Sequence, residues 1–136
     1  MKMVRRLKAY ILFIKIKRNI RARIGVLGIK VFPAGYYIYI GSGRKNLMER
    51  IKRHIKMKKK KFWHIDYLLT KRDVSIIDVY LTEKTESNIV NRIQTLKGAR
   101  PYPVRFGSSD TKNMTHFFHL NNKSSITTLI NCIEKW

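Results

Sequence analysis

The sequence feature that most limits the fold is a run of aromatic and β-branched residues that ends in glycine. Tyr36 to Ile40 predicts a strand, because such side chains suit a pleated surface that is half buried. Gly41-Ser42-Gly43 ends this strand, and Asn46 is suited to cap a helix that follows. The apolar stripe of that helix consists of Leu47, Ile51 and Ile55, widened by Met48. We therefore expect a strand end and a helix face to lie side by side.

Similar patterns along the rest of the chain predict one mixed domain. The expected strands are Tyr10 to Ile16, Ile24 to Leu27, Val74 to Leu81 and His116 to Leu120, the first two forming a hairpin. The expected helices are Trp63 to Leu69, a helix from a Thr85 cap to about Leu96, and an amphipathic C-terminal helix over about 124–135. Gly98, Pro101 and Pro103 predict an irregular connection. The predicted fold class is α/β (α+β): a single domain, residues 1–136, with a small mixed, mainly antiparallel sheet flanked by helices.

The chain is strongly basic. Lys and Arg number 30 against 8 Asp and Glu, which gives a net charge of +22. Such a charge opposes compaction by self-repulsion, so a polyanionic partner is the simplest explanation. Nucleic acid fits, because each phosphate contact releases counterions and adds affinity. An anionic membrane surface competes, but no stretch approaches the roughly 18 to 20 apolar residues that span a bilayer.

The cysteine content and the N-terminal sequence limit the compartments in which the protein is expected. Cys132 is the only cysteine, so an intrachain disulfide and a four-cysteine zinc site are both excluded. Lys8, Lys15 and Lys17 interrupt the N-terminal apolar run, which therefore predicts a strand rather than a signal peptide. We expect a reducing compartment, the cytoplasm.

Basic residues in and around the helix that follows Gly43 are the predicted nucleic-acid contacts. They are Arg44, Lys45, Lys52, Arg53, Lys58, Lys59, Lys60 and Lys61, followed by the aromatic Trp63. A lysine run of this kind is usually a solvated surface. Its aromatic flank and its place just after the helix favour contact with phosphates and bases.

Side chains that could take part in catalysis are expected near the end of the predicted strand. Tyr37 and Tyr39 share one face of the strand, so the Tyr39 hydroxyl points toward whatever lies at the end of that strand. Arg50 and His54 are four residues apart on the helix and are therefore neighbours. At about 100° per residue, both fall on the edge of the apolar stripe rather than on the solvent side. This placement suits the lining of a cleft.

These residues resemble the signature of the GIY-YIG nuclease superfamily, which is a first-strand Gly-x-Tyr, a later Tyr-x-Gly, and a helix with Arg and His four residues apart. Tyr39-Ile40-Gly41 matches the second element, and Arg50 with His54 matches the third. The chain is similar, more closely, to a prokaryotic branch sometimes fused to endonuclease III-like DNA glycosylases. The phrases shared with that branch are Pro33 to Tyr37, Tyr39 to Ser42, Arg53-His54, Trp63 to Leu68 and Gly107 to Asp110, in order over about residues 8 to 120.

The resemblance implies a metal-dependent endonuclease that hydrolyses phosphodiester bonds, with DNA preferred to RNA and a glycosylase-type repair protein as a partner. Tyr10 is the residue that matches the family's first tyrosine, with Ala9 where a glycine is usual. Glu86 matches the family's metal-binding glutamate and would hold Mg²⁺ or Mn²⁺. Tyr10 or Tyr39 would accept a proton from the attacking water.

The remaining implied roles concern the helix. Arg50 would clamp the phosphate bidentately, since a guanidinium presents paired N–H donors to two oxygens. His54 would form a hydrogen bond or shuttle a proton, because an imidazole titrates near neutral pH.

Other interpretations of the same residues stay open. On its charge and its incomplete first motif, the chain would instead be a non-catalytic DNA- or RNA-binding module on a GIY-YIG-like fold. Glu86 also suits the start of a helix, where an acid stabilises the helix dipole. His116 and His119 are three residues apart on a strand and face opposite sides, which opposes a shared metal ion. His64 and Asp66 fit an orienting role as well as a catalytic one.

Overall fold

The structure is a computed structural model, and it describes residues 7–43, 47–56, 64–96, 98–101, 116–120 and 124–135. The strands are β1 (Ala9–Ile16), β2 (Ile20–Arg23), β3 (Ile29–Phe32), β4 (Gly35–Ser42), β5 (Val74–Thr82), β6 (Ala99–Pro101) and β7 (Phe117–Leu120). The helices are α1 (Leu47–Ile55), α2 (His64–Leu69), α3 (Glu86–Ile93) and α4 (Ser124–Lys135). The predicted class, an α+β fold with a mainly antiparallel sheet flanked by helices, is confirmed.

Five strands form the main sheet in the order β5-β1-β4-β7-β6, while β2 and β3 form a separate two-stranded ribbon. β1 pairs antiparallel with both β4 and β5. A register shift beside Phe13 and Ile14 leaves Ile77 outside the regular pairing, and this side chain is exposed. β6 pairs with β7 where the sequence predicted an irregular connection, and its Pro101 lies on an edge strand, where proline is tolerated.

The two faces of the sheet bury two separate cores. Tyr10 and Leu12 of β1 face a core that also contains residues of α1, α2 and the ribbon. Ile11 and Phe13 face a second core that contains residues of α3 and α4. Successive side chains of a strand point to opposite faces, so both faces of β1 are covered. This explains why its sequence is almost continuously apolar.

The prediction of a strand over Ile24 to Leu27, paired with the first strand, is wrong. β2 precedes that segment, and Gly25–Leu27 is a turn of 3-10 helix. Gly25 and Gly28 have φ values of 48° and 79°, a region that favours glycine and is foreign to a strand. The turn reverses the chain, and β2 therefore pairs with β3 instead of β1.

Helix α1 buries a stripe that differs from the predicted one. Leu47 and Ile51 are buried, but Met48 and Ile55 are exposed. His54 takes the third buried position and is 2% exposed. Spacings of four and then three residues keep positions 47, 51 and 54 on one helix face. The imidazole therefore faces the sheet, while the aliphatic side chain next to it does not.

Helices α3 and α4 lie where the sequence predicts them, although α3 ends at Ile93 rather than at about Leu96. The Oγ1 atom of Thr85 accepts a hydrogen bond from the backbone N–H of Asn88, which caps α3. Leu129 and Ile133 of α4 are buried in the second core. Within the described ranges, the structure contains no helix with both the length and the apolar character needed to cross a membrane.

Candidate active site

The predicted site residues gather at one end of the five-stranded sheet. β1 begins there with Ala9, which pairs with Ser42 at the end of β4 and with Thr82 at the end of β5. The carbonyl of His116, just before β7, accepts a hydrogen bond from the backbone N–H of Ile40. Antiparallel pairing thus brings four distant segments together. Helices α1 and α3 begin close behind the ends of β4 and β5.

A short hydrogen bond joins β1 to α1 in this region. The hydroxyl oxygen of Tyr10 lies 2.6 Å from Nε2 of His54, and both side chains are buried. Burial raises the pKa of Tyr10 above its usual range, so the phenol keeps its proton at neutral pH. We therefore assign the phenol as the donor and an unprotonated Nε2 as the acceptor.

Tyr39 packs against the same imidazole from β4. Its ring meets His54 edge-on, with 5.9 Å between the ring centroids, and the side chain is buried. Tyr37 faces the same core, so the prediction that the two tyrosines share a face is confirmed. Tyr37 has other partners, because it stacks on Phe117 and donates its hydroxyl to the carbonyl of Pro33. Of the two tyrosines on β4, Tyr39 is the one that lies in the site.

Two glycines permit the close packing at this end of the sheet. Gly41 is the partner of Tyr10 across the β1–β4 ladder, and a Cβ at Gly41 would overlap the Cζ and hydroxyl of that ring. A Cβ at Gly43 would lie 2.7 Å from the Cα of Leu47, at the start of α1. The first glycine lets the Tyr10 ring cross β4 toward His54. The second lets α1 begin directly against the strand end.

Opposite charges act on the buried phenol. Burial has the largest effect on the pKa of Tyr10 and raises it. The guanidinium of Arg50 lowers the same pKa, and the carboxylate of Glu86 raises it. Nη1 of Arg50 donates to the carbonyl of Ser42 at 2.5 Å, which fixes the guanidinium at the end of β4. Glu86 projects from the first turn of α3. A phenol, a guanidinium and a carboxylate from three distant segments therefore act on one another electrostatically.

His116 belongs to this group, although no pattern in the sequence indicated a role for it there. Its Nδ1 lies 3.4 Å from Oε2 of Glu86, and the two side chains are 1% and 17% exposed. The hydrogen bond from Ile40 holds its backbone beside β4. His119, three residues later, stacks on Tyr37 instead. The histidine pair was visible in the sequence, but the contact with Glu86 depends on the order of strands in the sheet.

Arg53, a predicted nucleic-acid contact, forms an ion pair inside the protein. Its Nη1 donates to both carboxylate oxygens of Asp66, at 2.7 and 2.8 Å, and Asp66 is fully buried. The pair ties α1 to α2 and gives Asp66 the orienting contact that the sequence left as one alternative. Lys52, the preceding residue, is exposed to solvent, unlike the ion-paired Arg53.

The other predicted nucleic-acid contacts lie outside the described residues. They are Arg44, Lys45, Lys58, Lys59, Lys60, Lys61 and Trp63. The same holds for Asn46, the predicted helix cap, and for the Gly107 to Asp110 phrase.

An open cleft adjoins the buried histidine. Its volume is about 550 Å³, and it runs along β5, the edge strand next to β1. His54 lies in its lining together with aliphatic side chains that include Ile55 and Ile76. Solvent can therefore reach the neighbourhood of the imidazole from the β5 side.

Glu86, which the sequence predicts as a metal ligand, is a partly exposed carboxylate at the start of α3. In the part of the chain that the structure describes, no three His, Cys, Asp or Glu side chains are close enough to hold one ion together. One partly exposed carboxylate fits Mg²⁺ or Mn²⁺, because such ions keep several water and phosphate ligands. The described residues around Glu86 do not supply the four protein ligands of a closed zinc site.

The fold and the site define a class: a basic α+β protein with tyrosine, histidine, arginine and glutamate at one end of its sheet. The chain belongs to the family described as Domain of unknown function DUF123, whose model matches residues 9–136. The match runs from β1 to α4 and includes every site residue described above. Comparison with curated proteins and with solved structures found no match.

Proposed function

We propose that the protein is a divalent-metal-dependent endonuclease of the GIY-YIG type that hydrolyses phosphodiester bonds in DNA. The observation that carries the proposal is the buried hydrogen bond between Tyr10 and His54. The charges of Arg50 and Glu86 both affect the pKa of its phenol. Ala9 stands where the GIY-YIG signature has a glycine. Its methyl group faces the second core, while Tyr10 faces the first. This departure from the motif therefore leaves the Tyr10–His54 pair undisturbed.

The Tyr10–His54 pair provides a route for the proton of an attacking water. Tyr10 alone is a poor base, because burial raises its pKa and the phenol stays protonated. If its proton passes to Nε2 of His54 while the proton of water moves to the phenol oxygen, no free phenolate forms. The resulting hydroxide attacks phosphorus, the bond from phosphorus to the leaving oxygen breaks, and the leaving oxygen takes up a proton. That proton comes from Nε2 of His54 through the Tyr10 hydroxyl, because Nδ1 of the imidazole is buried away from solvent.

Arg50 and Glu86 supply the charges that a phosphodiester substrate requires. The guanidinium, fixed by Ser42 at the end of β4, is placed to pair with the phosphoryl oxygens on which negative charge gathers. Glu86 would hold Mg²⁺ or Mn²⁺, and such an ion, when bound, neutralises part of that negative charge. His116 contacts the Glu86 carboxylate and is placed to orient it.

The proposed substrate, partner and compartment rest on the sequence. A net charge of +22 supports a polyanionic substrate, and the resemblance to glycosylase-fused proteins supports DNA together with a repair glycosylase as partner. The single cysteine supports the cytoplasm as the compartment.

A cleavage panel tests the proposal. The purified full chain would be incubated with Mg²⁺ or Mn²⁺ and with duplex, flap, junction, abasic and single-stranded DNA, beside matching RNA. Glu86→Gln should abolish cleavage and retain binding. Glu83→Gln is the matched control, because it removes the same charge from a nearby exposed carboxylate and should leave cleavage intact.

The charge also favours a second candidate, a nucleic-acid-binding module without catalysis. Such a protein would cleave nothing in the panel, and its binding would fall steeply with salt and survive both Tyr39→Phe and Arg50→Gln. Nucleic-acid binding without cleavage, in the presence of Mg²⁺ and of Mn²⁺, would favour this candidate.

A further inference from the structure

The β2–β3 ribbon has one buried face and one face that mixes arginine with aliphatic residues. Ala22 and Phe32 point inward and are buried in the first core. The outward side chains form two cross-strand pairs in which every member is exposed. These pairs are Arg21 with Val31 and Arg23 with Ile29.

The tip of the ribbon is also apolar. Val26 lies in the 3-10 turn between β2 and β3, and its side chain is 97% exposed. Ile29 and Val31 on the outer face are about half exposed. Burial of aliphatic side chains stabilises a fold, so three of them exposed together on one small ribbon indicate a surface that another molecule covers.

The charge of the ribbon is uncompensated. No acidic residue occurs in the sequence before Glu49. Arg18, at the base of the ribbon, pairs with Asp73 at 3.5 Å, but among the described residues neither Arg21 nor Arg23 pairs with a carboxylate. The surface therefore fits a polyanion that also offers apolar contacts.

We infer that the β2–β3 ribbon is a second contact for duplex DNA and that it enters the major groove. This inference rests on the proposal that the protein acts on DNA. The major groove of DNA is about 12 Å wide and admits a two-stranded ribbon. Arg21 and Arg23 contact phosphates that border the groove, and Val26 with its aliphatic neighbours contacts the apolar groove floor, where thymine methyl groups lie.

The position of the ribbon sets a length for the substrate. The ribbon follows Ile16 at one end of β1, whereas Tyr10 lies at the other end, in the candidate active site. Six residues of strand span about 20 Å at roughly 3.4 Å per residue. That distance corresponds to about six base pairs at 3.4 Å each. A duplex must extend at least about this far beyond the cleaved bond to reach both surfaces.

The test measures binding without metal, so it does not depend on cleavage. The full chain in EDTA would be titrated into labelled DNA duplexes of 8 and 30 base pairs over a range of salt concentrations. Arg21→Gln/Arg23→Gln removes the two outward cations, and Val26→Ser removes the apolar tip. The control Lys15→Gln/Arg92→Gln removes the same charge from exposed positions on the other side of the sheet.

Loss of the two arginines should weaken binding to the long duplex about tenfold and reduce the slope of log K against log salt by about 1.8, at 0.9 per phosphate contact. Val26→Ser should weaken binding without changing that slope. Both effects should persist on the short duplex, because eight base pairs exceed the roughly six that separate the two surfaces, and the control should change affinity much less. Circular dichroism would verify that each variant is folded.

Three results would overturn the inference. The first is a loss of affinity for the arginine variant no larger than for the control. The second is an equal loss on an RNA duplex of the same length, since the deep, narrow major groove of A-form RNA does not admit a ribbon. The third is a dimer in sedimentation that Val26→Ser converts to monomer, which would make the ribbon a self-association surface. Failure of cleavage with ribbon binding intact would refute only the proposed nuclease activity.

Discussion

The ring of Tyr10 lies directly over Gly41, its partner across the β1–β4 ladder, so that no Cβ fits at that position. This contact lets the phenol reach Nε2 of His54 on α1. The glycine at the end of the predicted strand is thus a packing requirement of the site. Turn geometry does not require it there, because Gly41 is not among the described glycines with positive φ.

Gly41→Ala tests this relationship. The added methyl group should displace the Tyr10 ring and destabilise the fold by about 1 to 3 kcal/mol, as overpacking does in other cores. Chemical denaturation measures the loss. In a Tyr10→Ala background the same substitution should cost much less, because the obstructing ring is gone. Equal costs in both backgrounds would show that the ring does not limit this position.

Tyr10→Phe removes the hydroxyl and keeps the ring. Cleavage should fall by about 10² to 10⁴, the usual contribution of a group that transfers a proton. The free energy of unfolding should fall by about 1 to 3 kcal/mol, because Nε2 of His54 loses its partner. Tyr37→Phe is the matched control: it removes the hydrogen bond to Pro33, also 2.6 Å long, and should lower stability without changing cleavage.

The ion pair between Arg53 and Asp66 leads to a prediction about stability. Arg53→Met removes the Nη1 group that donates to both oxygens of the buried Asp66 carboxylate and should cost about 3 kcal/mol, near the low end for a buried pair because Arg53 is partly exposed. Lys52→Met, at the neighbouring exposed position, should leave stability unchanged and weaken DNA binding. Arg53→Met/Asp66→Leu should recover most of the loss, as measured by denaturant midpoints. No recovery would mean that Arg53 stabilises the fold through other contacts.

Local patterns predicted most of the elements of the fold but not their pairing. The strand from Tyr36 and the helix after it follow from side-chain preference and periodicity, which depend on near neighbours only. The partners of β1 are β4 and β5, far along the chain, and a local hairpin was the wrong choice. The backbone at Gly25 and Gly28, which ends β2 early, was not recognisable from composition alone.

The candidate site was predicted as a set of residues but not as a set of contacts. Tyr10, Arg50 and Glu86 were chosen through a family resemblance, and the influence of the two charged groups on the pKa of Tyr10 depends on the antiparallel register. Ile55 was placed on the buried stripe, whereas His54 occupies it. A hydropathy pattern ranks an imidazole below an aliphatic side chain, so it cannot identify a histidine that is buried because it has a hydrogen-bond partner.

His119 leads to a prediction about pH. Burial and then the charge of Arg100 lower its pKa below the ordinary 6.5. The unfolded chain therefore binds a proton at higher pH than the folded chain, so stability is greatest above about pH 6.5 and falls as the pH drops toward the lowered value. His119→Phe keeps a ring to stack on Tyr37 and should flatten this part of the curve of unfolding free energy against pH. An unchanged curve would assign the pH dependence to other groups.

The contact between His116 and Glu86 leads to the most specific prediction about the site. If Nδ1 orients the carboxylate, His116→Asn should preserve function, because the amide of asparagine places an N–H donor close to the position of Nδ1. His116→Gln places its donor farther out, and His116→Leu has none. Both should raise the Mn²⁺ concentration needed for half-maximal cleavage by about 10- to 100-fold, the usual effect of losing a partner of a metal ligand.

A merely structural role for His116 would give a different order. The backbone of His116 is held by Ile40 whatever the side chain, and its side chain is buried, so a packing role would favour the apolar leucine over the polar asparagine. Mn²⁺ titrations of the three variants, each checked by thermal unfolding, separate the two roles. An unchanged Mn²⁺ requirement in His116→Asn, together with normal stability and a raised Mn²⁺ requirement in His116→Leu, would show that the imidazole orients Glu86. A stable leucine variant with an unchanged Mn²⁺ requirement, together with an unstable asparagine variant, would show that the imidazole only packs in the core.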